Sequence, residues 1–156
     1  MIVTGIEYNK LPTMISVTMA ASPDFTFYLT GSRFWGTAKD NSDWDLFVED
    51  SDEIRNWLFQ MGFCSHRNRY AGDKECSGVL EYVSSVGHVI QVQLVRNILK
   101  KRKAQFILRR MFPEGFFKSG ASFDEPTSAR IWWSRIYMIL DHLQSFNEEV
   151  MIDTIP

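Results

Sequence analysis

The chain has 156 residues, 45% hydrophobic and 14% aromatic, which is long enough to bury a core and too apolar for a disordered segment. Lysine and arginine total 17 against 19 acidic residues, a net charge of −2, so bulk charge directs the chain neither to nucleic acid nor to a membrane. Cys64 and Cys76 are the only cysteines, too few for a disulfide framework, and read as free thiols of a reducing, cytoplasmic compartment.

In chain order, Asn9 can cap a first helix with Leu11 and Pro12 in its opening turn and Met14, Ile15 and Met19 on its apolar face. Small residues end LPTMISVTMAAS as they would a signal peptide, but Thr13, Ser16 and Thr18 interrupt it and no basic cluster precedes it, so it reads as helix. No run approaches the roughly 18 apolar residues of a membrane span. Phe25 to Leu29 reads as a buried strand closed by Thr30-Gly31, with a brief helical turn from Ser32 to Thr37. Asp43 to Glu49 is a second strand, with Trp44, Leu46 and Val48 on one face and Asp43, Asp45, Phe47 and Glu49 on the other. Ser51 caps a helix whose Ile54, Trp57, Leu58 and Met61 fall at i, i+3, i+4 and i+7, and Gly62 ends it.

VLEYV, the turn SSVG and HVIQVQLV form a hairpin. On its last strand Ile90, Val92 and Leu94 share one face, and Val89, Gln91, Gln93 and Val95 the other. From Asn97 the pattern is helical through RNILKKRKAQFILRRMF, with Ile98, Leu99, Phe106, Ile107 and Leu108 toward a core. A final helix from about Thr127 to Phe146 places Trp132, Ile136, Ile139, Leu140 and Leu143 on one side. The expected fold is α/β (α+β): a small mixed sheet flanked by helices, in one domain over 1–156, with a core over 1–95 and a helical extension over 96–156.

The stretch TGSRFWGTAKDNSDWDLFV, residues 30–48, carries the chemistry. Gly31 permits a tight turn, and Ser32 opens the next turn with its hydroxyl and backbone N–H suited to a polyphosphate. Asp43 and Asp45 project from one face with Cα atoms about 7 Å apart, and such carboxylates repel unless a cation lies between them. Hard oxygen donors that leave room for substrate phosphate suit Mg²⁺, or Mn²⁺ in its place.

Gly31, Ser32 and Gly36 followed by Ser42, Asp43, Asp45, Leu46 and Val48 resemble the signature of the nucleotidyltransferase superfamily related to DNA polymerase beta, in its minimal and antibiotic-modifying forms. The resemblance implies a nucleotidyltransferase-type sheet, with Gly31 and Ser32 on the β and γ phosphates of an NTP and Asp43 and Asp45 on Mg²⁺. It further implies transfer of NMP to a hydroxyl of a protein, RNA or small molecule. Arg33 follows the turn closely enough to assist a phosphate, or else faces solvent.

The family places a third carboxylate on a later strand. Here HVIQVQLV offers Gln91 and Gln93 on that face and no acid. A glutamine carbonyl can ligate a metal but carries no charge and is no base near neutral pH. If the hairpin loop is Ser85-Val86-Gly87, Glu81 falls opposite Gln91 and is either the missing carboxylate or a solvated strand residue. The alternative function is a catalytically inactive relative that binds or inhibits a protein or nucleic acid through its basic or C-terminal helix. The basic run of Arg96, Lys100, Lys101, Arg102, Lys103, Arg109 and Arg110 reads as a solvated face, or as a seat for RNA backbone or an acidic protein. Arg67, Arg69, Tyr70 and His66 are a surface loop or a contact to triphosphate or base. Trp35 and Trp44 read as core, and His88 and His142 have no partners at metal spacing.

Overall fold

The computed structural model describes residues 2–4, 25–35, 38–66, 75–111 and 129–143. The helix expected from Asn9, together with Gly36, Arg67, Arg69 and Tyr70, lies outside them.

The described residues form a mixed α/β fold on one six-stranded sheet. Its strands are β1 (Ile2–Thr4), β2 (Thr26–Thr30), β3 (Trp44–Glu49), β4 (Cys64–His66), β5 (Cys76–Val83) and β6 (Val89–Val95), in the order β1-β2-β3-β6-β5-β4. β1 runs parallel to β2, and β3 parallel to β6; the remaining pairs are antiparallel. Four helices accompany it: α1 (Gly31–Trp35), α2 (Asp52–Gln60), α3 (Ile98–Met111) and α4 (Ala129–His142).

Alternation along the strands divides the sheet into two faces. On one, Phe27, Leu29, Trp44, Leu46, Val48, Leu80, Ile90, Val92 and Leu94 pack with Ile54 and Leu58 of α2. The ends of α2 follow from its sequence. Ser51 Oγ accepts from Ile54 N at 3.1 Å, with Asp52 and Glu53 in the first turn. At the other end Phe63 N donates to Leu58 O and Gly62 N to Phe59 O, a Schellman stop that needs Gly62 at φ +94. Complete burial of Ile54 and Leu58 stabilises this layer by about 1.5–3 kcal/mol per side chain.

The expected hairpin forms with the loop Ser85-Val86-Gly87. Ser84 N donates to His88 O and Gly87 N to Ser84 O, and Gly87 has φ +87, the left-handed residue that closes a three-residue loop. That geometry sets Glu81 directly opposite Gln91. β5 begins at Cys76, ahead of VLEYV, with a register shift between Cys76 and Gly78.

The second face is crossed by α3, and here two expectations are corrected. Asn97 Oδ1 caps α3 by accepting from Lys100 N at 3.0 Å, but the inward residues are Lys101, Lys103, Ala104, Gln105 and Leu108, while Ile98, Leu99, Phe106 and Ile107 are only part-buried. Lys101 is 1% exposed: its ammonium donates to Gln93 Oε1 at 2.8 Å and lies over the rings of Phe47 and Trp133. Gln105 Nε2 donates to Leu29 O at 2.9 Å. The basic run is therefore a solvated face only at Arg96, Arg109 and Arg110, which are exposed, while Lys101 and Lys103 are buried. Arg102, Arg109 and Arg110 sit over the rings of Tyr28, Phe34 and Phe106, and Lys100 bridges Glu75 at 2.9 Å and Asp141 at 2.6 Å.

On α4 the inward side chains are Trp133, Ile136 and Tyr137, which pack with Trp35, Ala104 and Leu108. Ile139 and Leu143, expected inside, are exposed, because Trp133 and Tyr137 turn the buried stripe toward α3. No helix of the described residues is long and apolar enough to cross a membrane.

Candidate functional site

Directly opposed residues of neighbouring strands share a face, so the pairings Thr30↔Asp45, Asp45↔Gln91, Gln91↔Glu81 and Glu81↔Cys64 draw one row across β2, β3, β6, β5 and β4. Asp43, two positions before Asp45, lies off the end of β3 on the side of that face. The sheet thus brings Asp43, Asp45, Gln91 and Glu81 together, with Gly31 and Ser32 opening α1 immediately after β2.

Asp45 is the buried centre of the row. Gly31 stands at φ +67, and a Cβ built there would overlap Asp45 Oδ2 and lie 2.8 Å from its Cβ and Cγ. Only glycine admits the carboxyl at that place. Among the described residues Asp45 Oδ1 is buried without a hydrogen-bond partner. Burial, and then the charge of Asp43, push the Asp45 carboxyl up to about 7. Asp43 is raised too, by burial and then by Glu81, while His66 and Arg33 pull it down.

Arg33 is held at this end of the sheet. Its Nη2 donates to Ser42 O at 2.7 Å, and its guanidinium lies 4.1 Å over the Trp44 ring. Ser42 is itself fixed: its Oγ accepts from Lys39 N at 2.8 Å and its N donates to Lys39 O. Arg33 therefore ties down the bend that delivers Asp43, and its Nε is buried without a hydrogen-bond partner among the described residues.

Glu81 has a neighbour at each oxygen. Oε1 accepts from Gln91 Nε2 at 3.0 Å, and Oε2 faces His66 Nδ1 at 3.3 Å. Gln91 thereby spends its amide nitrogen on Glu81, leaving its carbonyl oxygen as the atom for a cation. Among the described residues no group of three His, Cys, Asp or Glu side chains converges to hold a metal. The residues do fit a cation held by two carboxylates, since Asp45 has a buried oxygen without a partner among the described residues and the charge of Asp43 raises the cost of ionising it.

Sequence reasoning missed Lys101, whose ammonium favours the ionised form of Asp45. Its signal was a lysine in the stripe with Ala104, Gln105 and Leu108. Trp35 and Trp44 are buried as expected, His88 and His142 are exposed, and Cys64 and Cys76 are free thiols. No family model, curated protein or solved structure matches the chain.

Proposed function

We propose that this chain is a nucleotidyltransferase-type protein that moves a nucleoside monophosphate from an NTP to a hydroxyl of a protein, RNA or small molecule, with Mg²⁺ or Mn²⁺ at Asp43 and Asp45. The observation that carries this reading is the Asp45 carboxyl, seated against Gly31 with Oδ1 buried and unpaired among the described residues. A buried carboxyl without a partner is costly, and a divalent cation removes that cost while orienting and neutralising phosphate oxygens when bound.

Each residue has a task in this account. Asp43 and Asp45 supply the anionic oxygens; Gly31 keeps backbone and carboxyl close; Ser32 and the N–H groups of the first turn face the phosphates; Arg33 holds the Ser42 bend and offers Nε; Gln91 and Glu81 complete the row. The free thiols, one of them exposed, fit a cytoplasmic setting.

The test is transfer of label from α-phosphate-labelled NTPs to a cell extract with Mg²⁺ or Mn²⁺, beside an Asp43→Ala, Asp45→Ala double variant. Label transferred by the parent and not by the variant supports the enzyme. A second reading, a catalytically inactive binding or inhibitor module, is favoured by Gln91 standing in the row where an acid would be. It predicts no transfer, with the biological effect preserved in the double variant. Its protein partner would meet α4, where Met138 is 58% and Ile139 47% exposed, since the cations of α3 are largely engaged.

A further inference from the structure

We propose that His66 is the base that takes the proton of the acceptor hydroxyl, oriented by Glu81 and, through Glu81, by Gln91. This rests on the transferase reading and names a residue for the task that the row of carboxylates leaves open.

Glu81 is poorly suited to be the base. One oxygen accepts from Gln91 Nε2 at 3.0 Å and the other lies 3.3 Å from His66 Nδ1, so both oxygens are turned to neighbouring side chains and away from an incoming acceptor. The same contacts suit an orienting residue. A carboxylate on one imidazole nitrogen holds the ring and directs the proton to be gained to the other. With Nδ1 facing Glu81, Nε2 is the nitrogen that accepts. His66 and Glu81 keep 18% and 27% side-chain exposure, enough for an acceptor to enter and enough burial to hold the pair in place. The pair is within electrostatic reach of the aspartates, because Asp43 responds to both Glu81 and His66.

The arrangement draws on three strands. β4 brings His66, β5 Glu81 and β6 Gln91, and the register Glu81↔Gln91 fixes the last two. Among the described residues, the charged group that faces His66 is Glu81 on β5, and Asp43 ahead of β3 is electrostatically coupled to it, with Arg33 also acting on Asp43.

Nε2 of neutral His66 takes the hydroxyl proton, the acceptor oxygen forms a bond to the α-phosphorus, and the bond from that phosphorus to the pyrophosphate bridging oxygen breaks. Pyrophosphate leaves with the electron pair, and the imidazolium returns its proton to solvent.

The experiment measures pyrophosphate release from each of the four NTPs with Mg²⁺, using glycerol and a cell extract as sources of hydroxyl, for the parent, His66→Ala and His66→Gln. NTP affinity and the unfolding midpoint are followed in parallel. The expected result is a kcat lower by about 100-fold or more in both variants, a nearly unchanged KM for NTP, and recovery of His66→Ala by added imidazole. Parental kcat in the variants overturns the base and leaves the transferase standing. Loss of kcat together with NTP affinity, without imidazole rescue, marks His66 as structural and also overturns it. No release by the parent overturns the transferase reading, and the base with it.

Discussion

Asp45 occupies the space that a Cβ at position 31 would need: its Oδ2 would overlap that atom, with Gly31 at φ +67. The turn after β2 and the acid on β3 are therefore one unit, and a change at either is felt at the other.

Gly31→Ala should destabilise the fold by about 1–3 kcal/mol, from left-handed backbone strain added to the overlap, and should displace the Asp45 carboxyl. Chemical denaturation checks this. An unchanged midpoint would mean that Asp45 is not seated on Gly31.

In chelator, Asp45 should make stability fall as pH rises. Its carboxyl titrates at about 7 in the fold, against 3.8 for an unperturbed aspartate. Between those values the folded chain holds the extra proton, so ∂ΔG/∂pH is negative, and ionising the buried group costs at most about 4 kcal/mol by pH 8. Asp45→Asn carries no such cost, so it should be more stable than the parent at pH 8 and nearly equal at pH 4. Parallel profiles for the two proteins would contradict this assignment.

Asp50 should act in the opposite sense. Its oxygens accept from Arg55 Nε at 2.7 Å, Arg55 Nη2 at 2.8 Å and Ser77 Oγ at 2.6 Å, which hold its carboxyl below the usual range, with Arg55 the larger cause and Ser77 the smaller. The stability this provides is present above 3.8, the unfolded value, and is lost as pH falls through the lower folded value. Asp50→Ala should cost about 1–2 kcal/mol at pH 7, allowing for solvent screening of a part-exposed pair, and progressively less below pH 4. Equal loss at both ends of the range would count against the ion pair.

Lys101 is buried among Gln93, Phe47 and Trp133. Lys101→Ala should lose about 2–4 kcal/mol, through the cavity and the unpaired Gln93 amide, whereas Lys101→Met, which keeps the stem, should lose less. Urea midpoints of the two variants separate these contributions, and near-parental stability of the alanine variant would place the side chain in solvent.

The sheet was legible where alternation is strict. Leu46, Val48, Ile90, Val92 and Leu94 declared one face of β3 and β6, whereas Glu81 opposite Gln91 followed only if the loop was Ser85-Val86-Gly87, a register that the structure supplies. α3 was not legible, because lysine in sequence reads as solvent-facing. The rings of Phe47 and Trp133, brought from β3 and α4, together with Gln93 Oε1, give Lys101 an interior place. Residues 30–48 put Gly31 in a turn and Asp45 on the next strand, but showed neither the close approach of the two nor Arg33's hold on Ser42 O, which depends on a bend formed nine residues later. The stripe of α4 was misjudged for a similar reason: Trp133 and Tyr137 answer to α3, whereas Ile139 and Leu143 have the right spacing and no facing element among the described residues.

The measurement that bears most directly on the central claim is calorimetric titration of Mn²⁺ into the protein at pH 6, with a non-hydrolysable NTP, in buffers of different ionisation enthalpy. The account predicts binding by the parent with release of close to one proton, as the cation displaces the proton held by Asp45, and no such release in an Asp43→Asn, Asp45→Asn variant. The same heats and proton count in parent and variant would show that the cation is bound elsewhere, and that the carboxyl against Gly31 is a feature of the fold alone.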